Sequence, residues 1–401
     1  MVRGAMSARV YLKPGHVRPV YTGHPWVFQQ AVGRIEGGPI PGDEVVVVDP
    51  QGNILGRGLY SPGSAIPVRL FTQDDRPVDA VLIRSRIEHA AALRRSLGFP
   101  CEATNAYRLV HGEGDGLPGL IVDVFGEVAC VQLNTVGIAR RQGVVFDAIA
   151  EVTGVRAILD RTSESASRVE GVPPGRGVVR GDDVKELAFR ELGLRYALPL
   201  GLTQKTGYYL DQRSLRARVA ELASGRDVLD AYAFVGSFAL SAARGGARRV
   251  VLVDQSALAV ELAGELARAN GLERVVELRK ADAVEAMEDA ARRGGFELVL
   301  CDPPKLAPTR AKLEAALTAY RRVARAAARA TKPGGLLVLS SCSAAVGHDE
   351  LVRALAMGAR DANLRATVIE RHVQGPDHPV PAAFPEGLYL KSVVARIDTL
   401  A

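Results

Sequence analysis

The stretch at 296–306, Phe-Glu-Leu-Val-Leu-Cys-Asp-Pro-Pro-Lys-Leu, constrains this chain more than any other. Its short apolar run, 298–301, reads as a buried parallel strand. The run ends on Asp302, and Pro303 and Pro304 then halt both strand and helix because neither has an N–H to donate. A carboxylate is therefore expected at the carboxyl end of a central strand, where open α/β sheets hold their ligands. An ordinary strand-ending turn would use the same residues, so the rest of the chain has to discriminate.

From Glu191 onward the pattern is that of a doubly wound sheet. Residues 192–200 read as extended and 208–222 as helical. Strands at 228–229, 250–253, 298–301 and 336–340 follow, separated by Ala-rich helical stretches. The last strand, 389–397, follows Pro385-Glu386-Gly387 with little room for a crossover helix, so it is expected to run antiparallel. Upstream, residues 1–75 read as a small β-barrel, with strands at 44–49, 54–60 and 65–71 punctuated by glycine. Trp26 and Phe28 are expected in its core rather than as platforms for stacked bases.

Residues 76–190 read as a linker helix, 78–97, and a middle α+β domain. That domain has strands at 107–110, 119–124, 128–133, 157–160 and 178–179 and a helix at 138–152. Asp115-Gly116 reads as a hairpin turn, because no second acidic cluster completes a metal or phosphate loop. Three domains, 1–75, 76–190 and 191–401, suit a chain of 401 residues.

A net charge of +6 leans mildly toward a polyanionic partner. No apolar run is long enough to span a bilayer, and residues 1–10 lack the apolar core of a signal peptide. A cytoplasmic protein with no membrane partner is the expectation. The four cysteines are scattered without metal-type spacing, so no metal is expected and the thiols should be reduced.

Several strand ends carry groups suited to one site. Residues 227–238 read as a strand, a turn and a helix start, with Gly236 allowing the backbone to approach a ligand. Asp254 ends the next strand, placed to take both hydroxyls of a ribose, and Asp282 ends another, placed for an adenine amino group. Each aspartate alone could be a helix cap; with Asp302, acids at successive strand ends argue for a ligand. Cys342 lies just past the strand at 336–340, on the same edge. A thiolate there could add to carbon 6 of a cytosine and make carbon 5 nucleophilic, while Asp302 holds the N3 and N4 edge. Cys301 should point into the sheet packing and be inert.

Asp302-Pro303-Pro304 at a strand end resembles the fourth motif of class I S-adenosylmethionine (SAM) methyltransferases that modify a nucleobase. The segment Gln204-Lys205-Thr206-Gly207-Tyr208-Tyr209-Leu210-Asp211-Gln212-Arg213 extends the resemblance. So do Ser341-Cys342-Ser343, Asp377-His378-Pro379 and Pro385-Glu386-Gly387-Leu388-Tyr389-Leu390-Lys391. Together they closely resemble the bacterial large-subunit ribosomal RNA cytosine-5 methyltransferases, over nearly the whole chain. The resemblance implies a PUA domain, a middle α+β domain and a Rossmann-like class I methyltransferase sheet with an antiparallel last strand. It implies SAM as cofactor and 23S rRNA, naked or in the large subunit, as partner; a homodimer is left open.

It also implies Cys342 as nucleophile and Asp302 as the acid that orients the base. SAM contacts are expected from Tyr209, Asp230, Tyr232, Gly236, Asp254, Asp282 and Asp302, and substrate contacts from Pro303, Pro304, Lys305, Arg213 and His378. Arg216 and Arg218 join Arg213 as candidates for the RNA backbone, whereas Arg321, Arg325 and Arg329 read as a solvated helix face. Two departures stand out: Lys305 lies where many relatives carry a second cysteine, and Ser237 where a second glycine is common. The acceptor of the carbon 5 proton is therefore open among Asp377, His378 and a water. Two rival readings are an amino-group methyltransferase acting on an RNA purine and a noncatalytic RNA-binding assembly factor that keeps SAM as a structural ligand.

Overall fold

The structure is a computed structural model that describes residues 8–203, 205–306, 313–343 and 345–400. Gln204, the first residue of the Gln-Lys-Thr-Gly-Tyr-Tyr segment, lies outside the described residues. The chain forms two compact units. The first comprises Met1–Arg190, Pro199–Tyr208 and Pro376–Gly387, and the second Glu191–Leu198, Tyr209–Gly375 and Leu388–Ala401. Residues 8–190 lie in the first unit, which Pro199–Tyr208 and Pro376–Gly387 complete.

In the first unit a six-stranded sheet runs in the order Trp26–Val27, Val68–Thr72, Ile54–Tyr60, Glu44–Val48, Ala8–Leu12, Val32–Glu36. Alternate residues of its strands, among them Val10, Leu12, Val45, Val47, Val68 and Leu70, build the core of this half-barrel. Gly56 and Gly58 let adjacent strands close: a Cβ there would stand 2.1 Å from the Thr72 carbonyl oxygen and 2.4 Å from that of Arg69. Val27 fills the core where Trp26 and Phe28 were expected. Trp26 is only half-buried; its indole N–H donates to Glu113 at 2.7 Å, and its ring meets Phe384 edge-on at 4.6 Å. The alternation of the short strand puts Val27 inward and its neighbours outward.

A five-stranded sheet follows, in the order Gly177–Gly181, Ala157–Asp160, Val128–Leu133, Leu120–Phe125, Ala106–His111. Leu59 and Phe71 of the first sheet share a core with Ile83 and Ile87 of the helix Ala80–Ser96 and with Leu109, Val122 and Ile149. This shared core lies within the first unit. The expected 138–152 helix is two, Val136–Ala139 and Gln142–Thr153.

The helix Ala80–Ser96 contributes Arg94 to a buried charge network. Arg94 is 0% exposed; it forms a two-pronged ion pair with Asp115 and donates to the Asp377 carbonyl at 2.8 Å. The Asp377 carboxylate accepts the Arg108 backbone N–H at 3.0 Å, and Arg108 pairs with Asp123 at 2.7 and 2.8 Å. Asp115 sits in the turn that was expected, a short 3₁₀ segment closed by Gly116 at φ 67°. Its carboxylate neutralises a buried guanidinium.

The second unit holds a seven-stranded sheet in the order Val276–Lys280, Arg249–Asp254, Asp227–Ala231, Phe296–Cys301, Thr331–Ser341, Lys391–Thr399, Leu364–His372. The first five strands are parallel, and Lys391–Thr399 runs antiparallel to both of its neighbours. The expected α/β class and reversed last strand are found. The edge strand Leu364–His372 was not anticipated, because its alternation runs between exposed and half-buried residues and leaves no fully buried position. Another correction concerns the helix expected from Tyr208: it spans Arg213–Ala223, after a 3₁₀ turn at Leu210–Gln212. Among the described residues no helix is long and apolar enough to cross a membrane.

Replacing Asp115 by Ala strands the Arg94 guanidinium. We expect a loss of about 3–5 kcal/mol of unfolding free energy, read from urea denaturation.

Candidate active site

The parallel register brings the carboxyl ends of the strands into line: Ala231 lies opposite Val253 and Cys301, and Cys301 opposite Leu339. The loop after Asp227–Ala231 is strained. Tyr232 and Phe234 adopt φ of 65° and 51°, and Gly236 adopts 80°. Positive φ costs a non-glycine residue of order 1–3 kcal/mol and persists where the surroundings enforce it, commonly at binding sites. Here the Ala233 N–H donates to the Val253 carbonyl at 3.0 Å and the Phe234 N–H to Asp254 Oδ2 at 2.8 Å. A Cβ on Gly236 would stand 2.5 Å from Leu252, so only glycine lets the helix Ser237–Arg244 start here.

Asp230 is 1% exposed, and its Oδ2 accepts the Ala239 N–H at 2.9 Å. Burial pushes its carboxyl up to about 8, reinforced by the charges of Asp302 and Asp254. It therefore pins the helix start from below, in place of the direct SAM contact expected of it. Asp254, half-buried, takes the Ser256 N–H on its other oxygen at 2.9 Å, which leaves lone pairs on both oxygens. Asp282 is exposed and caps the helix Ala283–Arg292 with Oδ1, at 2.9 and 3.0 Å from two backbone nitrogens. Its Oδ2 has no partner among the described residues. Asp282 is thus a helix cap, whereas Ser256 and not Asp254 caps the helix Ala257–Ala269. Tyr232 is half-buried against the Ala-rich core, and burial pushes its phenol up. A strained loop with spare acceptors beside it fits a ligand that carries a ribose and an amino group, as SAM does.

The second half of the site surrounds Asp302. Its Oδ2 accepts the side-chain N–H of Gln212 at 2.5 Å. Gln212 is 6% exposed, and its Oε1 has no partner among the described residues. The turn carrying Gln212 is held by Asp211, which accepts the Tyr389 hydroxyl at 2.7 Å and, through its carbonyl, the Gly375 N–H at 2.8 Å. The Tyr209 phenol is pushed up to about 12 by burial, then by the negative charges of Asp302, Cys342 and Asp211 around it. Cys342 is half-buried just past its strand. Ser341 Oγ next to it accepts the Tyr320 hydroxyl at 2.8 Å, and the Ser343 carbonyl on its other side accepts Lys391 Nζ at 3.0 Å. Cys301 is fully buried with its thiol pushed up by desolvation, as suits an inert core residue.

Pro303 is buried, whereas Pro304 and Lys305 are exposed beside Asp302. Two expected substrate residues are buried. Arg213 is buried with Arg216 against a single carboxylate, Glu191, at 3.1 and 2.7 Å. Its guanidinium is taken up by that ion pair instead of facing RNA. His378 is 2% exposed in the first unit, bonded to Asp377 at 3.0 Å, and so has no open face for a substrate. Arg218 pairs with Glu370 and Glu221, Arg321 with Asp361, and Arg329 with Glu288. Gln212 and Lys391 were not singled out from the sequence. A buried glutamine in an apparent helix and a lysine at the head of an apolar strand were the available signals.

A Rossmann-like sheet whose strand ends gather acids and a thiol defines a SAM-dependent methyltransferase. Residues 114–390 match the S-adenosylmethionine-dependent methyltransferase family, and residues 10–73 match the PUA-like domain. The chain belongs to the ribosomal RNA large subunit methyltransferase I family: it is 36% identical to that protein of Alteromonas mediterranea over 98% of this chain and 99% of the relative. It is likewise 36% identical to that of Shewanella denitrificans, over 98% of this chain and 100% of the relative. Among solved structures, a protein of Streptococcus mutans assigned as a SAM-dependent methyltransferase shares the fold, with a TM-score of 0.82, 17% identity, and coverage of 97% of this chain and all of that one. A methyltransferase complexed with SAH superposes with a TM-score of 0.83 at 18% identity, covering 97% and 100% of the two chains.

Because the Asp230 carboxyl is raised to about 8 when folded, it favours the folded state fully below its unfolded value, near 4. That contribution is lost as pH rises through about 8. Asp230→Asn keeps an acceptor for the Ala239 N–H and cannot ionise. Melting temperatures at pH 5 and pH 9 should therefore fall less in the variant than in the wild type.

Proposed function

We propose that this chain methylates carbon 5 of a cytosine in 23S rRNA through a covalent bond between Cys342 and carbon 6. The observation that carries the reading is the grouping of Asp302, Gln212, Tyr209 and Cys342 at one edge of the sheet. The large subunit rRNA comes from the name of the relatives; carbon 5 comes from the thiol.

When bound, SAM supplies an electrophilic methyl carbon. The loop at 231–236 and Asp254 would hold its ribose, and Asp282 its adenine amino group. Asp302 accepts from the N4 amino group of the base, and its negative charge favours protonation at the neighbouring N3. Gln212 orients Asp302 through its N–H and offers Oε1 to the exocyclic amino group, a donor that uracil lacks. The Cys342 thiolate adds to carbon 6, and the electron pair of the double bond moves to carbon 5. Carbon 5 then bonds to the methyl carbon, and the sulfonium leaves with its electron pair as the neutral thioether. Loss of the carbon 5 proton restores the double bond and expels the thiolate. The acceptor of that proton is one of Asp377, His378 and a water. Lys305 and Pro304, exposed beside the site, would contact the nucleotide. The base must leave its stack to enter, and the PUA-like and middle domains would recognise RNA shape and backbone.

This reading places the enzyme with ribosomes, in the cytoplasm. The decisive experiment incubates SAM and ribosomal RNA carrying 5-fluorocytidine with wild type and with Cys342→Ser. Fluorine at carbon 5 blocks release, so wild type should be trapped covalently on the RNA and the variant should not. Methyl transfer to normal RNA without trapping would overturn the covalent route. Naked rRNA and large subunits should be offered in parallel, with light scattering to read whether a homodimer acts.

Gln212→Met removes both polar atoms at nearly constant volume. We expect about a tenfold or greater fall in kcat/KM for RNA with SAM affinity within twofold of wild type, measured by tritium transfer and by calorimetry.

A further inference from the structure

The strand Lys391–Thr399 pairs antiparallel with Thr331–Ser341, and the register sets Lys391 opposite Ser341. Lys391 is 5% exposed, with Nζ donating to the Ser343 carbonyl at 3.0 Å and to the Tyr389 carbonyl at 2.9 Å. The ammonium thus bonds the residue after Cys342 and is in register with the one before it. Among the described residues no carboxylate forms an ion pair with Nζ. A buried ammonium without an anion is strongly unfavourable, and two carbonyls offset that only in part.

Among the described residues, these titratable groups surround the ammonium. Burial lowers its pKa; Cys342, and after it Glu350, oppose that shift. Glu350 is already engaged, accepting the Gly347 N–H at 3.0 Å in the cap of the helix His348–Asp361. His348, on that helix, has its pKa lowered by burial and then by the charges of Arg371 and Lys391. Tyr320 approaches from the helix Leu313–Ala330 with a phenol that burial keeps neutral. On the ligand side stands Tyr209, whose phenol is pushed up by burial and then by Asp302 and Cys342. Cys342 is therefore the anion that can complete the charge balance.

We propose that Lys391 is a positioning residue, its buried ammonium supplying the countercharge that holds Cys342 as a thiolate and pinning the 341–343 turn that aims the sulfur. The inference rests on the reading of Cys342 as nucleophile, because the thiolate and not the thiol is what attacks carbon 6.

The test measures the rate of iodoacetamide alkylation at Cys342 against pH, read by mass spectrometry in a Cys101→Ser background that removes the exposed cysteine. A free-cysteine peptide runs alongside. Wild type should titrate below the peptide. Lys391→Gln keeps N–H donors for the two carbonyls but no charge; its midpoint should rise by about one unit or more, with about a tenfold slower rate at pH 7. Lys391→Arg, which keeps the charge, should stay near wild type. A wild-type midpoint at or above that of the peptide overturns the proposal without any variant. So does a folded Lys391→Gln protein, verified by melting and SAM binding, with an unchanged midpoint. Should Lys391→Gln not fold, the wild-type profile against the peptide decides. RNA trapping is scored separately: its failure removes the proposed reaction, while the alkylation profile reads the Lys391–Cys342 pair alone.

Discussion

The parallel pairing of Phe296–Cys301 with a strand on either side is the constraint on which the rest of the second unit depends. Parallel hydrogen bonding fixes register on both edges at once, so a slip by one residue would turn Leu298 and Leu300 out of one packing layer and into the other. With the register held, Asp302 must emerge where Asp254 and Cys342 also emerge. Pro303 and Pro304 then keep the carboxylate from being drawn into a longer strand. Chemistry at this edge follows from backbone geometry before any side chain makes a specific contact.

Around that edge, buried charges are arranged as supports. Glu191 holds two arginines below the turn that presents Gln212, and Arg216 also donates to the Tyr209 carbonyl at 3.0 Å. Asp230 fastens the start of the helix behind the strained loop. Such groups are costly to bury and more costly to leave unmatched, so each fixes its neighbours in one arrangement. Tyr209, Gln212 and Asp302 are thereby preorganised, which is what an electrostatic site requires.

Much of this was legible in the sequence because it is written in local pattern. The apolar runs that end on Asp254 and Asp302 announce strands and their termini, and the spacing of strands and Ala-rich helices announces the sheet. Strands of the middle domain at 128–133 and 157–160 were likewise readable from short apolar runs between turns. What was not legible depends on distant partners. Arg213 looks like a surface cation until Glu191 is folded beneath it. His378 looks available until its neighbour Asp377 is seen meeting Arg94 and Arg108. Lys391 looks like a strand-end charge until antiparallel pairing carries it next to Cys342. The edge strand Leu364–His372 carries too little apolar alternation to announce itself.

The first unit is assembled from three separated segments, the last of them Pro376–Gly387. Asp377 in that segment ties down both Arg94 and Arg108, so the half-barrel and middle sheet emerge from the ribosome long before their charge network can close. During synthesis, the Arg94 guanidinium and the Arg108 backbone N–H wait for the carbonyl and the carboxylate of Asp377, translated more than two hundred residues later. The amino-terminal half therefore reaches its final stability only when nearly the whole of the other unit has been made. Vectorial synthesis thus hands the first unit its last structural piece after most of the seven-stranded sheet is already present.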